Sequence, residues 1–401
     1  MDNNPPLISV GFGETGLRAW PEEPDIGGGA VLLAAGWTVT EPGFYAAPGP
    51  ADLDSFRAAI QRLRTAANGA GAWIESPSPE LLSFTAKLAD ALPGWGPPDV
   101  SLPSGGLPYL REDIWDRDSL MRDAFDVEAM SYATILPGPD GAELALTAKA
   151  GDPGRYLVGV VAPSAGLSGV ELPILDRAVT VVGHDAAEAA AELISDLIPR
   201  YEQAVWEFRT AQLAAAVDRM DALVREAEAV ESGLQDDTPG RGPRERHLSA
   251  SQPLTVFLEL GPRMISTVLQ STTFPDVRKE NVADLAEVWH LRSVLDRARQ
   301  VRAQWTQVEA LVSTPPSGSA FAGRQAMHSG LTVLWRYARE IPWSGAALVR
   351  VAESFTPDTW RPLPPPRARA AAASAAVGLS PGQPRALPTT DVPPASRPRT
   401  R

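Results

Sequence analysis

Apolar positions recur at helical spacing most clearly in two long stretches. The first opens at Asp185, followed three residues on by Glu188, a pair able to bond each other's orphan backbone N–H groups at a helix start. Leu193, Ile194, Leu197 and Ile198 then fall on one face. Pro199 lacks an N–H and its ring crowds the carbonyl of Ser195, so the pattern predicts a kink or restart there. Beyond it Leu213, Val217, Met220, Val224, Ala227 and Leu234 advance as a heptad seam with a polar interruption at Glu231. The second stretch is capped by Asp276 and runs to Ser313. Its seam is Leu291, Val294, Ala298, Val301, Trp305, Val308 and Val312, alternating steps of three and four without a break.

Two such helices in one chain predict an antiparallel pair or bundle; the alternative is that both seams bury against a common core. Charge favours the pair. Residues 185–235 carry eleven acids and four Arg, a net of −7, whereas residues 291–302 carry four Arg against Asp296, a net of +3. Exposed ion pairs contribute only about 0–1 kcal/mol each, so attraction between the two faces sets register more than stability.

Ahead of these helices the period shifts towards two. Residues 1–98 read as a small α+β unit: strands at 7–12 and 17–20, a short helix at 30–35 stopped by Gly36, and a hairpin of 37–40 with 44–47. A helix follows from Asp52 or Asp54, with Phe56, Ile60 and Leu63 on one face, to about Asn68-Gly69; then come a strand at 72–75 and a helix at 79–92. Pro and Gly crowd residues 93–108, and 99–108 reads as a linker. Residues 109–184 predict an antiparallel meander, with strands at 131–136, 142–149, 155–162 and 178–182.

Residues 185–355 then form a helical bundle whose long members are 185–235 and 276–313. Within it 235–251 reads as a polar, flexible loop, and 254–270 as a helix broken at Gly261-Pro262, with a strand as the alternative for its first half. Residues 314–319 read as a loop, 320–341 as a helix and 343–355 as a shorter one. From 356 to 401 the chain is Pro, Ala and Arg with almost no large apolar residues, a composition that predicts disorder. The fold class is therefore an α+β N-terminal half of two small units, an all-α bundle with long coiled-coil-like helices, and a disordered tail.

Composition adds limits. The 401 residues carry a net charge of −13, and the tail holds seven Arg against Asp358 and Asp391, a net of +5, which leaves −18 on residues 1–355. An acidic body argues against nucleic acid or an anionic membrane as the main partner; any nucleic-acid contact is expected to be weak and confined to the tail. No apolar run approaches the 18 or so residues that a membrane span requires, and the N-terminus has no secretory pattern. The absence of cysteine excludes disulfides and thiolate chemistry and fits a reducing compartment. With only three Lys among 36 basic residues, the chain reads as a bacterial, cytoplasmic protein from a GC-rich genome.

Local motifs offer little chemistry. Gly11-Phe12-Gly13-Glu14-Thr15-Gly16 matches G-x-G-x-x-G, but Pro21 and Pro24 follow too soon for the required helix, and Glu14 would set a carboxylate in the phosphate cradle. A hairpin turn explains it, and no cofactor is expected. The four histidines, His184, His247, His290 and His328, form no i, i+4 pair, so no metal site is expected. His184 is the candidate catalytic residue, between a strand end and a helix start beside Asp185, although capping already accounts for that aspartate. Pro362-Leu363-Pro364-Pro365-Pro366-Arg367 fits P-x-x-P-x-R, a polyproline II ligand pattern. Trp343-Ser344-Gly345, between two predicted helices, resembles the W-x-G turn of the small helical-hairpin secretion substrates of that name. The helix after it is shorter than in that family, and a tryptophan closing a helix corner is the ordinary reading.

These observations point to a non-catalytic interaction or scaffold protein. Its helical seams, through Leu213, Val217, Met220, Val224, Leu291, Val294, Val301 and Trp305, are expected to meet a protein partner or a second copy. The alternative is a metal-independent enzyme or ligand-binding module with a pocket at the sheet–helix junction near His184.

Overall fold

The computed structural model describes residues 5–13, 16–23, 27–49, 52–98, 100–102, 110, 113–115, 121, 132–149, 152, 154–163, 167, 169–232, 242–271, 282–313 and 320–355. All of them fall within one compact unit, Met1–Leu363. The Asp276 cap, Leu234, the loop at 314–319, most of the linker and the tail with its P-x-x-P-x-R string lie outside the described residues.

Strand β1 (Leu7–Gly13) turns back antiparallel on β2 (Gly16–Pro21), with Gly13 opposite Gly16. The G-x-G-x-x-G string is therefore a hairpin: its first two glycines lie in β1 and its third opens β2. Helix α1 (Gly28–Ala34), the hairpin β3 (Thr38–Glu41) with β4 (Phe44–Ala46), helix α2 (Leu53–Ala70) and strand β5 (Trp73–Glu75) complete the first sheet, ordered β3-β4-β2-β1-β5. Only β5 runs parallel, beside β1. Alternation puts Ile8, Val10 and Phe12 of β1 on one face, where they meet Phe56, Ile60 and Leu63 of α2. Asp52 caps α2 by accepting the Ser55 N–H at 2.8 Å.

The next helix, α3 (Pro79–Ala91), joins the two sheets. Its Leu82 enters the first core, while Leu81, Phe84 and Leu88 enter the second, where Phe84 stacks on Tyr156 with ring centres 3.9 Å apart. The second sheet is a meander ordered β10-β9-β8-β7-β6. Its strands are β6 (Val100–Leu102), β7 (Ala133–Pro137), β8 (Glu143–Ala148), β9 (Tyr156–Val160) and β10 (Val179–Val182). Strand β6 falls where the sequence reads as linker; three residues are too few to show a period. Every residue of β9 is buried because the sheet is covered on both faces. Tyr156, Val158 and Val160 face α3 and the helix that follows β10, while Leu157 faces Ile114 and Met121.

That helix starts as expected. Asp185 accepts the N–H groups of Ala187 and Glu188, opening α4 (Ala186–Glu192). The kink expected at Pro199 takes the form of one π turn, Leu193–Leu197, in which the Ile198 N–H reaches five residues back to the Leu193 carbonyl. Widening the ladder just before the proline gives its ring room, and the chain continues unbroken as α5 (Ile198–Glu231).

The helical half is completed by α6 (Pro243–Ser271), α7 (Val282–Ser313), α8 (Ala320–Ala338) and α9 (Ile341–Glu353). Three expectations are corrected here. Residues 243–251, read as loop, form the first turns of α6, started by Pro243 and anchored by the buried Arg246, Ala250 and Leu254 at i, i+4, i+8 spacing. Gly261-Pro262 does not break α6 either; it is where α7 crosses. A Cβ on Gly261 would lie 2.6 Å from Leu295 Cδ1, so a side chain there would have to displace the Leu295 side chain of α7. Pro262 leaves the buried Leu258 carbonyl without its helical donor, and the Arg299 guanidinium of α7 supplies one, with Nε at 3.0 Å.

Third, Trp343-Ser344-Gly345 lies inside the first turns of α9 instead of at a corner. Trp343 is exposed and Gly345 is buried against α6 and α5, where a Cβ would stand 2.7 Å from Phe257 and 3.1 Å from Val217. The glycine serves a close helix crossing, not a turn.

The two long helices do not pair. Both α5 and α7 pack on α6 and α9, so their seams share a common core. Three of the four arginines of 291–302 are engaged within the helical half. Arg299 holds Leu258, Arg297 donates to the Ser293 carbonyl and Arg292 lies over Trp289. Gln212 of α5 ties the helical half to the second sheet by clasping both the N–H and carbonyl of Leu167 in the β9–β10 connection, and within the helical half Trp206 Nε1 donates to the Ala352 carbonyl of α9 at 3.1 Å.

Candidate functional site

His184 stands where the sequence puts it, between β10 and α4, but it is exposed and lines none of the three cavities described below. Its neighbour Asp185 is held below the usual carboxylate range, first by the backbone N–H of Glu188 and then by that of Ala187, with the His184 charge as the least of the causes. The aspartate is a helix cap.

Of the seam residues expected to meet a partner, Leu213, Met220, Leu291 and Val294 are fully buried within this chain. Val217 and Val224 are half-buried. Along α7 burial fades: Ala298 is completely covered, Val301 and Trp305 are half-covered, and Val308 is 38% exposed. The structure thus separates a seam that the periodicity treats as uniform into a core half and an open half.

Beside the open half lies a cavity of about 310 Å³ walled by three helices. From α6 come His247, Ala250, Ser251, Leu254, Thr255 and Leu258; from α7 come Arg302, Trp305 and Thr306; from α8 come Gly330, Leu331, Leu334, Trp335 and Ala338. The spacing explains the set, since His247, Ser251, Leu254, Thr255 and Leu258 repeat at threes and fours and so share one face of α6. The His247 and Trp335 rings are 5.5 Å apart, and His247 Nδ1 stands 3.5 Å from the Thr332 hydroxyl. Trp305 leans on the α8 backbone at Gly330, where a Cβ would come within 2.9 Å of the indole. The Arg302 guanidinium makes no ion pair or hydrogen bond among the described residues, and no acidic side chain is among the described lining. Leu258, Arg302 and Thr306 also border a shallower groove of about 550 Å³ between α6 and α7. A third depression on α2, around Arg57 and Arg64, is shallow, and Arg57 is held there by Glu80 at 2.7 Å.

Sequence reasoning placed Trp305 in the seam and Arg302 in the basic run but did not join them to His247, which fell in the presumed loop. Trp335, near the end of its helix, carried no signal at all. The readable sign was the buried Arg246-Ala250-Leu254 repeat, which extends α6 back past His247. No protein-family model matches the chain, and neither a curated protein nor a solved structure does.

Proposed function

We propose that this is a non-catalytic interaction protein in which two sheets brace a helical half and the open end of α7 makes the contacts. One observation carries the reading: the apolar stripe of α7 continues past its fully buried part, through the half-covered Val301 and Trp305 to Val308, alongside a cavity lined by two indoles and a guanidinium with no ion pair among the described residues. A stripe that leaves its core without turning polar has the character of a recognition surface. The chemistry of the lining (aromatic rings, hydroxyls and a guanidinium) suits binding.

The test is site-specific photocrosslinking with p-benzoylphenylalanine at Val308 and at Glu228, an exposed position of α5, in cells that produce the protein. A discrete adduct from position 308 and none from 228 is expected, at twice the chain mass if the partner is a second copy. Adducts from 228 alone, or from neither position, would overturn the reading.

A further inference from the structure

Resting on the reading of this end of the helical half as a recognition surface, we propose that the cavity between α6, α7 and α8 binds a small planar aromatic carboxylic acid. Its ring would lie among Trp305, Trp335 and His247, and its carboxylate would be on Arg302.

Three features of the cavity converge on that chemistry. Its volume, about 310 Å³, is at the lower end of the range of small-molecule sites, which run from roughly 300 to 1,000 Å³, so it suits a bicyclic ligand better than a folded segment. Three flat rings from three helices border the same space, with His247 and Trp335 5.5 Å apart, and rings of this kind favour stacked or edge-on partners. The electrostatics select sign: Arg302 has no ion pair among the described residues, no carboxylate is among the described lining, and a guanidinium matches a carboxylate through two parallel N–H bonds.

The walls are also set in advance. Arg299, one turn before Arg302 on α7, is fixed to the Leu258 carbonyl of α6, and Leu258 lines the cavity. Trp305 is seated against Gly330. A site whose helices and rings are already held loses less entropy on binding than one that must assemble. Thr255 adds a hydroxyl to the same lining, while those of Ser251 and Thr306 donate to the Leu248 and Arg302 carbonyls and are left to accept from a ligand.

Isothermal titration of the full chain with indole-3-acetate, and with its neutral isostere indole-3-acetamide, tests the proposal. The acid should bind saturably and more tightly than the amide. Arg302→Gln should weaken the acid by about tenfold and leave the amide within about twofold, because only the acid makes the charge-assisted bond. Ser251→Phe, which fills the cavity from α6, should abolish both, with circular dichroism and the melting temperature confirming that each variant is folded. No saturable binding by the full chain overturns the proposal, and so does binding that Ser251→Phe leaves intact. Equal weakening of acid and amide by Arg302→Gln overturns the carboxylate assignment. A persisting adduct at Val308 alongside failed titrations would leave the interaction reading standing and sink this one alone.

Discussion

Helices α5 and α7 are nearly equal in length, 34 and 32 residues, and carry the same heptad spacing, yet they are buried differently. Two successive cores cover α5. Tyr201, Ala204 and Val205 belong to the core of the second sheet, and Leu213, Ala216, Met220 and Leu223 to the helical core. In contrast α7 has full cover only as far as Ala298. Helix α9 lies along its first turns, where Arg350 meets Asp284 and Ser344 meets Glu287, and α6 crosses it at Leu295 and Arg299. Val288, Leu291, Val294, Leu295 and Ala298 are completely buried, while Val301 and Trp305 are half-covered and Val308 is 38% exposed. A heptad repeat reports that a stripe exists; where its neighbours cross it decides how much of it is covered.

Equal truncations along α7 test this most severely. Leu291→Ala removes a completely buried side chain and should cost about 2–5 kcal/mol of unfolding free energy, as should Met220→Ala on α5. Val308→Ala, at the open end, should stay within about 0.5 kcal/mol. Chemical denaturation of the three variants gives the answer. A loss at Val308 comparable to that at Leu291 would mean that the end of α7 is covered, and the contrast would collapse.

A smaller effect probes the crossing that holds α7 on α6. Arg299→Ala should cost roughly 1–3 kcal/mol, because it leaves the buried Leu258 carbonyl with no donor. In a Pro262→Ala background the backbone N–H of residue 262 is restored and can take that carbonyl, so the same Arg299→Ala change should cost clearly less. Additive losses in this double-mutant cycle would show that Arg299 does not stand in for the missing helical bond.

Much of the N-terminal half was readable. Strands of the first sheet, the Asp52 and Asp185 caps and the meander came within a few residues of their places, because period-two alternation and capping chemistry act locally. What escaped were features decided by distant partners. Gly261-Pro262 reads as a helix break on local grounds, and the donor that the proline lacks comes from Arg299 on another helix. Gly345 reads as a turn residue until Phe257 is seen beside it. The polar face of residues 243–251 hid two buried positions, Arg246 and Ala250, and with them the His247 wall of the cavity. His184 drew notice for its position in sequence, and it stands exposed beside a helix cap, away from the cavity.

The last and smallest effect tests why α5 is covered at its sheet end. Tyr201 follows the π turn closely, and its hydroxyl donates to the Val161 carbonyl at 3.0 Å and accepts the Glu143 N–H at 3.3 Å, fastening the helix to the second sheet; α7 has no such bond to either sheet among the described residues. Burial pushes its phenol up to about 12, from about 10 for an exposed tyrosine. A group whose folded pKa is raised stabilises fully below its unfolded value and loses that contribution as pH rises through the folded one. Tyr201→Phe should therefore cost on the order of 1 kcal/mol at neutral pH, for the lost hydrogen bonds. Its difference from the native protein should shrink between pH 10 and 12. Burial also raises Tyr132 and Tyr156, so the variant should keep an alkaline loss of stability, only a shallower one. Denaturation midpoints across pH 7 to 12 would record the two slopes. If they are identical, the Tyr201 hydroxyl does not fasten α5 to the sheet, and the cover at that end comes from apolar packing alone.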